Sequence, residues 1–360
     1  MSPLLVLLAL GQGVSDLKSD EHLVFFPTLA YYDADSALWK CDVQGWVYEP
    51  EADSITRELT LRLLCRTLDL DEKHAAGVIF RQRAAMFLVD NQRGKEVVIE
   101  LAGRQIKLPK TEANGHFRTQ ISVPAEDLAQ LTGGNPPRRD AKLTFKAILE
   151  AGDEREFRGS IRLLAPRGVS VVSDLDDTIK ITEVGNRDAM LAHTFVEPFK
   201  TVPEMVDRYR VSSKQGATFH YVSASPWQLY PALSAFLRQE GFPGGTFHLK
   251  QFRALDKSFF DLFGAPDKYK LDILVPLLAR FPERRFVLVG DSGELDPEIY
   301  GRLAREFPEQ VTQILIRDVS TTTRLDLPRY EKAFDELPRN RWQVFRYPRE
   351  LVDPSELPPR

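Results

Sequence analysis

Two textures of hydrophobic patterning divide this chain. From about Leu23 to Leu164, apolar and polar residues alternate in short runs such as KCDVQGWVYEP, EVVIELAGRQIKLP, HFRTQISVP and KLTFKAILE, punctuated by Gly, Pro and Asn. Alternation at period two, with turn residues between runs, predicts short antiparallel strands in a sandwich-like arrangement. Within this region TRELTLRLLCRTL carries apolar residues at helical spacing, which predicts a helix inserted among the strands.

At LLAPRGVSVVSD the texture changes. A Pro/Gly turn leads into the uninterrupted apolar run Val169 to Val172, and TFHYVS, RRFVLVG and TQILIRDV are further candidate buried strands. Between them PEMVDRYRVSSKQ, PWQLYPALSAFLRQEG and PEIYGRLAREFP have helical spacing. Strands alternating with helices predict an α/β fold, a parallel sheet flanked by helices, with ligands bound beyond the carboxyl ends of its strands. The expected organisation is a leader over residues 1–22, a β-rich domain over 23–165, an α/β domain over 166–325, and an extension over 326–360 that packs on the α/β domain.

Composition changes this picture in a few respects. A length of 360 residues exceeds what one compact core usually needs, in keeping with two domains. The formal net charge of −4, with basic residues spread along the chain, shows no electrostatic footprint for nucleic acid. Cys41 and Cys65 have neither CxxC nor Cys/His spacing and read as core thiols. The opening MSPLLVLLALGQG contains an apolar stretch of about eight residues without a basic flank, so a cytoplasmic or peripheral-membrane location and export through residues 1–20 both stay open. No apolar run approaches the roughly twenty residues of a transmembrane helix.

The chemistry gathers at the ends of the apolar runs. In VVSDLDDTIKIT, Asp174, Asp176 and Asp177 follow directly on a strand, and carboxylates this crowded are favoured by water or a cation. Asp174 and Asp176 would point to one side of an extended chain, where one can attack while the other moves a proton. FHYVSASPWQLY ends a strand at Ser223, whose hydroxyl suits a phosphoryl oxygen, while Ser225 before Pro226 suits a helix N-cap. Lys270, at the start of the helical pattern YKLDILVPLLARF, can counter the charge of a phosphate and several aspartates, whereas Lys268 reads as a solvated charge. RRFVLVGDSGELDPEIYG delivers Asp291 to a Gly-containing loop, a hard oxygen ligand suited to magnesium. Asp296 suits magnesium and an N-cap before Pro297 equally.

The order strand–DLDDT, strand–Ser, Lys, strand–GDSGELD resembles the haloacid-dehalogenase phosphotransferase superfamily, with its Rossmann-like sheet. SDLDDTIKIT, YVSASPWQLYP, TFHLKQF and FVLVGDSGELDPEIY, spanning roughly Gly168 to Val319, resemble one branch more closely, the catalytic domain of the actin-patch-associated phosphatidate phosphatases. The resemblance implies magnesium-dependent removal of phosphate from phosphatidate, giving diacylglycerol, through an aspartyl-phosphate on Asp174. Asp176 would protonate the leaving oxygen and then activate water. It further implies magnesium held by Asp174, the backbone carbonyl of Asp176, and Asp291, with Asp296 assisting, while Ser223 and Lys270 bind phosphoryl oxygens. Only about 45 residues separate DLDDT from Ser223, and about 45 more lead to Lys270, too few for a large lid domain in either gap. An open site of this kind admits a phospholipid at a membrane surface, and the Phe-rich segments Ala189 to Phe199 and Phe252 to Phe263 are expected to dock there. His193, His220, His248 and Trp227 read as structural. Two other functions fit the same motifs: hydrolysis of another phosphomonoester, such as a phosphoprotein, nucleotide or sugar phosphate, and a non-enzymatic phosphoryl-binding scaffold.

Overall fold

Period-two runs become strands when each can bury one side of its chain, and this chain does so over much of its first half. The structure, a computed structural model, describes residues 13–50, 55–68, 70–251, 266–320 and 327–351. It divides into two compact units, one formed by residues 1–51 and 88–165 and the other by 52–87 and 166–360.

In the first unit the strands are β1 (His22–Phe26), β2 (Thr28–Asp33), β3 (Leu38–Glu49), β4 (Asp90–Asn91), β5 (Val98–Leu101), β6 (Arg104–Lys107), β7 (His116–Pro124), β8 (Ala141–Ala147) and β9 (Arg158–Leu164). They join in the order β1-β3-β2-β9-β8-β5-β6, with β4 and β7 also on β3. Every pairing is antiparallel except β2 with β9. The pattern of β8 shows the physical reason: Leu143, Phe145 and Ala147 are buried while Lys142, Thr144 and Lys146 face solvent. Phe25, Trp39, Ile99, Phe117, Phe145 and Ile161 share one core.

The second unit holds a six-stranded sheet of β10 (Val169–Asp174), β11 (Thr218–Pro226), β12 (Gly245–Lys250), β13 (Arg285–Asp291), β14 (Val311–Arg317) and β15 (Trp342–Phe345). Its order is β12-β11-β10-β13-β14-β15, and every pairing is parallel. Nearly continuous burial of β10, β11 and β13 explains why their sequences run apolar without alternation. Strand order reverses between β10 and β13, and in open α/β sheets that switch point leaves a crevice beyond the carboxyl ends. Two strands were not expected from patterning: β12, whose run is short, and β15, a four-residue, largely half-buried strand drawn from the C-terminal extension.

Helices α1 (Ile55–Thr67) and α2 (Val78–Ala85) form the insertion, and α3 (Ala125–Thr132) belongs to the first unit. Along the second unit follow α4 (Arg187–Leu191), α5 (Met205–Lys214), α6 (Tyr230–Glu240), α7 (Pro266–Arg280), α8 (Asp296–Glu306) and α9 (Leu327–Ala333). The insertion, expected among the β-rich strands, groups with the second unit. Arg83 of α2 is the tie: its Nη1 donates to the carbonyls of Thr194 (2.7 Å), Glu197 (2.8 Å) and His193 (3.3 Å), and its guanidinium lies 3.6 Å from the centre of the Phe199 ring. Those carbonyls belong to a π-helical turn, Ala192–Val196, and the residue after it, where the wide turn presents carbonyls to a neighbour.

The close fit of α8 against α9 gives a test in which two effects oppose. A Cβ on Gly301 would sit 1.9 Å from the Ala333 carbonyl oxygen. Helix propensity favours Gly301→Ala by about 1 kcal/mol. Overpacking against backbone opposes it by about 1–3 kcal/mol, so the urea midpoint of this variant should fall. A midpoint raised above that of the parent would show that α8 and α9 do not meet this closely.

Candidate active site

Each sequence element of interest ends a strand or opens a helix at one end of the parallel sheet. Asp174 closes β10 and Asp291 closes β13, with Ser173 in register with Val289 between them. Asp296 opens α8, and Lys270 lies in the first turns of α7. All four side chains are buried, at 1% exposure or less.

Lys270 organises this group. Its Nζ lies 3.0 Å from Asp174 Oδ1, 2.9 Å from Glu294 Oε2 and 2.5 Å from Asp296 Oδ1. Burial would lower its pKa, but the neighbouring Asp174, Asp296 and Glu294 carboxylates win and hold the ammonium well above its usual range. The acids respond in the opposite sense to the same crowding. Burial, reinforced by Asp296, drives Asp174 and Asp291 well above the carboxylate range despite the pull of Lys270, and burial also raises Glu294. Positive charge is in deficit here.

Within this cluster two buried carboxylate oxygens, Asp174 Oδ2 and Asp291 Oδ2, lack a hydrogen-bond partner. Unpaired carboxylate oxygens in a protein interior are costly, and a cation would relieve both. One ligand atom from each of Asp174, Asp291 and Asp296 lies within 4.8 Å of the others. An all-carboxylate oxygen set of this size suits a hard divalent ion such as magnesium, which keeps waters and a substrate oxygen in its remaining positions. Gly290 makes the arrangement fit, because a Cβ there would meet Asp296 Oδ2 at 2.1 Å.

Asp296 is not the cap of α8. Leu295 occupies the cap position without a side-chain bond, and Asp296 instead takes Lys270 on Oδ1 and the backbone N–H of Asp291 on Oδ2 at 3.2 Å. Ser225 is likewise not an N-cap. β11 runs on to Pro226, a 3₁₀ turn spans Trp227–Leu229, and α6 begins only at Tyr230. Both serine hydroxyls reach Asp176 Oδ2, from Ser223 at 2.8 Å and Ser225 at 3.2 Å.

Asp176 therefore occupies a different environment from Asp174. Lys180 Nζ lies 2.7 Å from its Oδ1, where Thr182 also donates at 2.8 Å. Burial would raise this carboxyl, but the Lys180 charge and the hydrogen bonds from Lys180, Ser223 and Thr182 outweigh it and hold the group below its usual range. Its side chain is not among the clustered oxygens. The third acid of the motif is structural. Asp177, at φ 54°, accepts backbone N–H bonds from Thr182 (2.8 Å), Glu183 (2.8 Å) and Val184 (2.7 Å), and its carbonyl accepts from Arg317 Nη1 at 2.5 Å.

Glu294, Lys180, Thr182 and Gly290 were missed by sequence reasoning. Glu294 and Gly290 stood inside the GDSGELD element, and Lys180 was a lone charge in an apolar run four residues after Asp176. Of the residues read as structural, His220 bonds Thr246 (2.8 Å) and Ser170 (3.1 Å) inside the sheet, His248 bonds Thr246 (3.1 Å), and His193 sits between Glu183 (3.2 Å) and Glu197 (3.3 Å). Trp227 is buried. The segment Ala189 to Phe199 offers no exposed Phe for docking: Phe195 is fully buried, and Phe199 is half-buried beneath Arg83 and against Phe236. Phe252 to Phe263 lies outside the described residues.

Comparison with known proteins bears on this same segment. Residues 169–318 match the family model described as phosphatidate phosphatase APP1, catalytic domain. Over 190 residues, half of this chain and 31% of the relative, it is 33% identical to an uncharacterized protein of Schizosaccharomyces pombe. Over 182 residues, 47% of this chain and 29% of the relative, it is 32% identical to phosphatidate phosphatase APP1 of Saccharomyces cerevisiae. The chain thus spans less than a third of the length of these two relatives. Among solved structures, a sialyltransferase from Photobacterium damsela aligns at 10% identity with a TM-score of 0.23, over 64% of this chain and 46% of that one, too low to bear on the fold. Buried carboxylates at the strand ends and the family match fall within the same residues, and over 169–318 this chain is similar to the APP1 phosphatidate phosphatase catalytic domain.

Proposed function

We propose that this chain is a magnesium-dependent phosphatidate phosphatase of the haloacid-dehalogenase type, acting through an aspartyl-phosphate on Asp174. The observation that carries the proposal is the cluster of Asp174, Asp291 and Asp296 around Lys270, with an unpartnered Asp174 Oδ2 at the sheet's switch point. The match of residues 169–318 to the APP1 catalytic domain supports phosphatidate as the substrate.

The chain's own residues divide the reaction as follows. Asp174 Oδ2 attacks phosphorus as the bond to the glycerol oxygen breaks, and the departing oxygen takes a proton from Asp176. Asp176, once ionised, withdraws a proton from water, whose oxygen attacks phosphorus and releases phosphate and free Asp174. The contacts of Asp176 with Lys180, Thr182 and the two serines favour the ionised form that this second step needs. Lys270 and Ser223 would hold phosphoryl oxygens, Ser223 by turning its hydroxyl from Asp176 to the substrate. Magnesium, held by Asp174, Asp291, Asp296 and the Asp176 carbonyl, would neutralise the carboxylates and polarise the phosphoryl group.

Phosphate release from vesicle-borne and short-chain soluble phosphatidate, set beside nucleotides, sugar phosphates and phosphopeptides, tests the substrate. Turnover of the soluble monoesters with none of phosphatidate would replace the lipid reading and leave the aspartyl-phosphate chemistry in place. Asp174→Asn should abolish turnover while preserving the melting temperature, and normal turnover would remove Asp174 from the mechanism. Asp176→Asn should lower turnover by about 10²–10⁴-fold. Magnesium should raise the melting temperature of the parent but not of Asp291→Ala, because binding to the folded state alone stabilises it. Equal shifts in both would contradict the ligand assignment. Gly290→Ala, which displaces Asp296, should raise the magnesium concentration for half-maximal activity by about 10–100-fold.

A further inference from the structure

Among the described residues, the three most exposed large apolar side chains all lie on the helical insertion: Leu59 at 61%, Leu63 at 62% and Val78 at 69%. Leu59 and Leu63 are four residues apart on α1, and Arg62 and Arg66 on the same helix are also exposed. These four positions fall on one face, since residues three and four apart on a helix are neighbours. The opposite side of α1 is buried through Leu61, Leu64 and Cys65. An outward face that interleaves leucine with arginine belongs at an interface between water and an anionic surface.

Charge agrees with that surface. Residues 55–87 carry six Lys and Arg against four Asp and Glu, in a chain whose net charge is −4. Of the acids, Glu58 is shared by Arg81 at 2.6 Å and Arg62 at 3.5 Å, one carboxylate against two guanidinium groups, and Asp71 pairs with Lys73 at 2.8 Å. A two-fold contact between copies of this chain through the same face would bring the Arg62 and Arg66 pairs of both copies together, which disfavours self-association.

The insertion is also tied to the segments that follow the catalytic motifs. Arg83 holds the turn 192–197, which follows β10, and Phe87 packs on Phe195 with ring centres 5.7 Å apart. A cavity of 270 Å³ between α2 and the residues after β11 is lined by Ile79, Met86, Gln228 and Pro231, with Gln228 Oε1 buried and without a hydrogen-bond partner. Both of those segments leave the carboxyl ends of sheet strands, where the carboxylate cluster lies.

We propose that the outer face of α1, together with Val78, is the surface by which this chain settles on an anionic lipid bilayer, bringing the carboxylate cluster to its substrate. The purpose of that docking rests on the phosphatidate reading above; the docking itself does not.

The test uses the full chain and vesicles of phosphatidylcholine with phosphatidylglycerol, which contain no phosphatidate. Leu59→Ser combined with Leu63→Ser should weaken co-sedimentation by about tenfold or more, because two leucines lose their apolar burial. Arg62→Gln combined with Arg66→Gln should weaken it by about tenfold at low salt and less at high salt. Leu59→Trp should show a blue-shifted emission on vesicle addition. Hydrolysis of short-chain phosphatidate below its micellar concentration should stay within about twofold of the parent in both double variants, showing that they are folded. Undiminished co-sedimentation of the leucine double variant, or an emission of the Leu59→Trp variant that vesicles leave unchanged, would overturn the proposal. So would a parent dimer that the leucine substitutions dissociate while vesicle binding persists. Should the parent bind these vesicles through α1 yet hydrolyse no form of phosphatidate, the substrate reading would fall and the docking surface would stand.

Discussion

The buried ammonium of Lys270 is the contact on which this site depends. It lies within 3.0 Å of Asp174, Glu294 and Asp296, carboxylates that burial alone would drive apart or protonate. Removing the ammonium from such a buried group typically costs about 3–5 kcal/mol, because the carboxylates are left uncompensated. One cation still leaves the group short of positive charge, as the unpartnered oxygens of Asp174 and Asp291 show. The same shortage that makes the pocket costly to fold makes it receptive to a divalent ion.

Two aspartates two residues apart acquire different chemistry from different surroundings. Asp174 is held among other acids, whereas Asp176 is surrounded by Lys180, Thr182, Ser223 and Ser225. Burial among acids favours the neutral form of Asp174, whereas the Lys180 charge and its neighbouring hydrogen bonds favour the ionised form of Asp176. Asp177 spends both of its oxygens on the backbone of residues 182–184 and so fixes the loop that carries Thr182 to Asp176. Loss of that third acid would disturb the site through the loop rather than through the reacting atoms.

The short gaps between motifs led to the expectation of a site without a large lid domain, and the described residues between β10 and α6 fit that reading. What covers this region comes from elsewhere in the chain. Residues 55–87, interrupting the β-rich strands, group with the second unit through Arg83 and the π-helical turn. Of the aromatic residues expected to face lipid, Phe195 and Phe199 are drawn inward by the same packing, since they meet Phe87, Arg83 and Phe236. Exposed apolar area moved to α1 instead.

The sequence by itself placed Asp174, Ser223 and Asp291 at or near the carboxyl ends of parallel strands. An apolar run delivering an acid or a serine is a local signal, and burial on both faces of a central strand writes it without interruption, as in β10, β11 and β13. It also marked α1 as a helix, because helical spacing is local too. Only the tertiary structure decided what those residues do to each other. That Asp296 faces Lys270 rather than capping its helix, that Ser225 points at Asp176, and that Gly290 leaves room for Asp296 depend on distances between segments far apart in the chain. Hydrophobic patterning specifies which face of an element is buried, but it carries no term for the partner that buries it. For that reason the insertion could be read as a helix from its own residues, while its place beside the catalytic segments became visible only once Arg83 had found the carbonyls of residues 193–197.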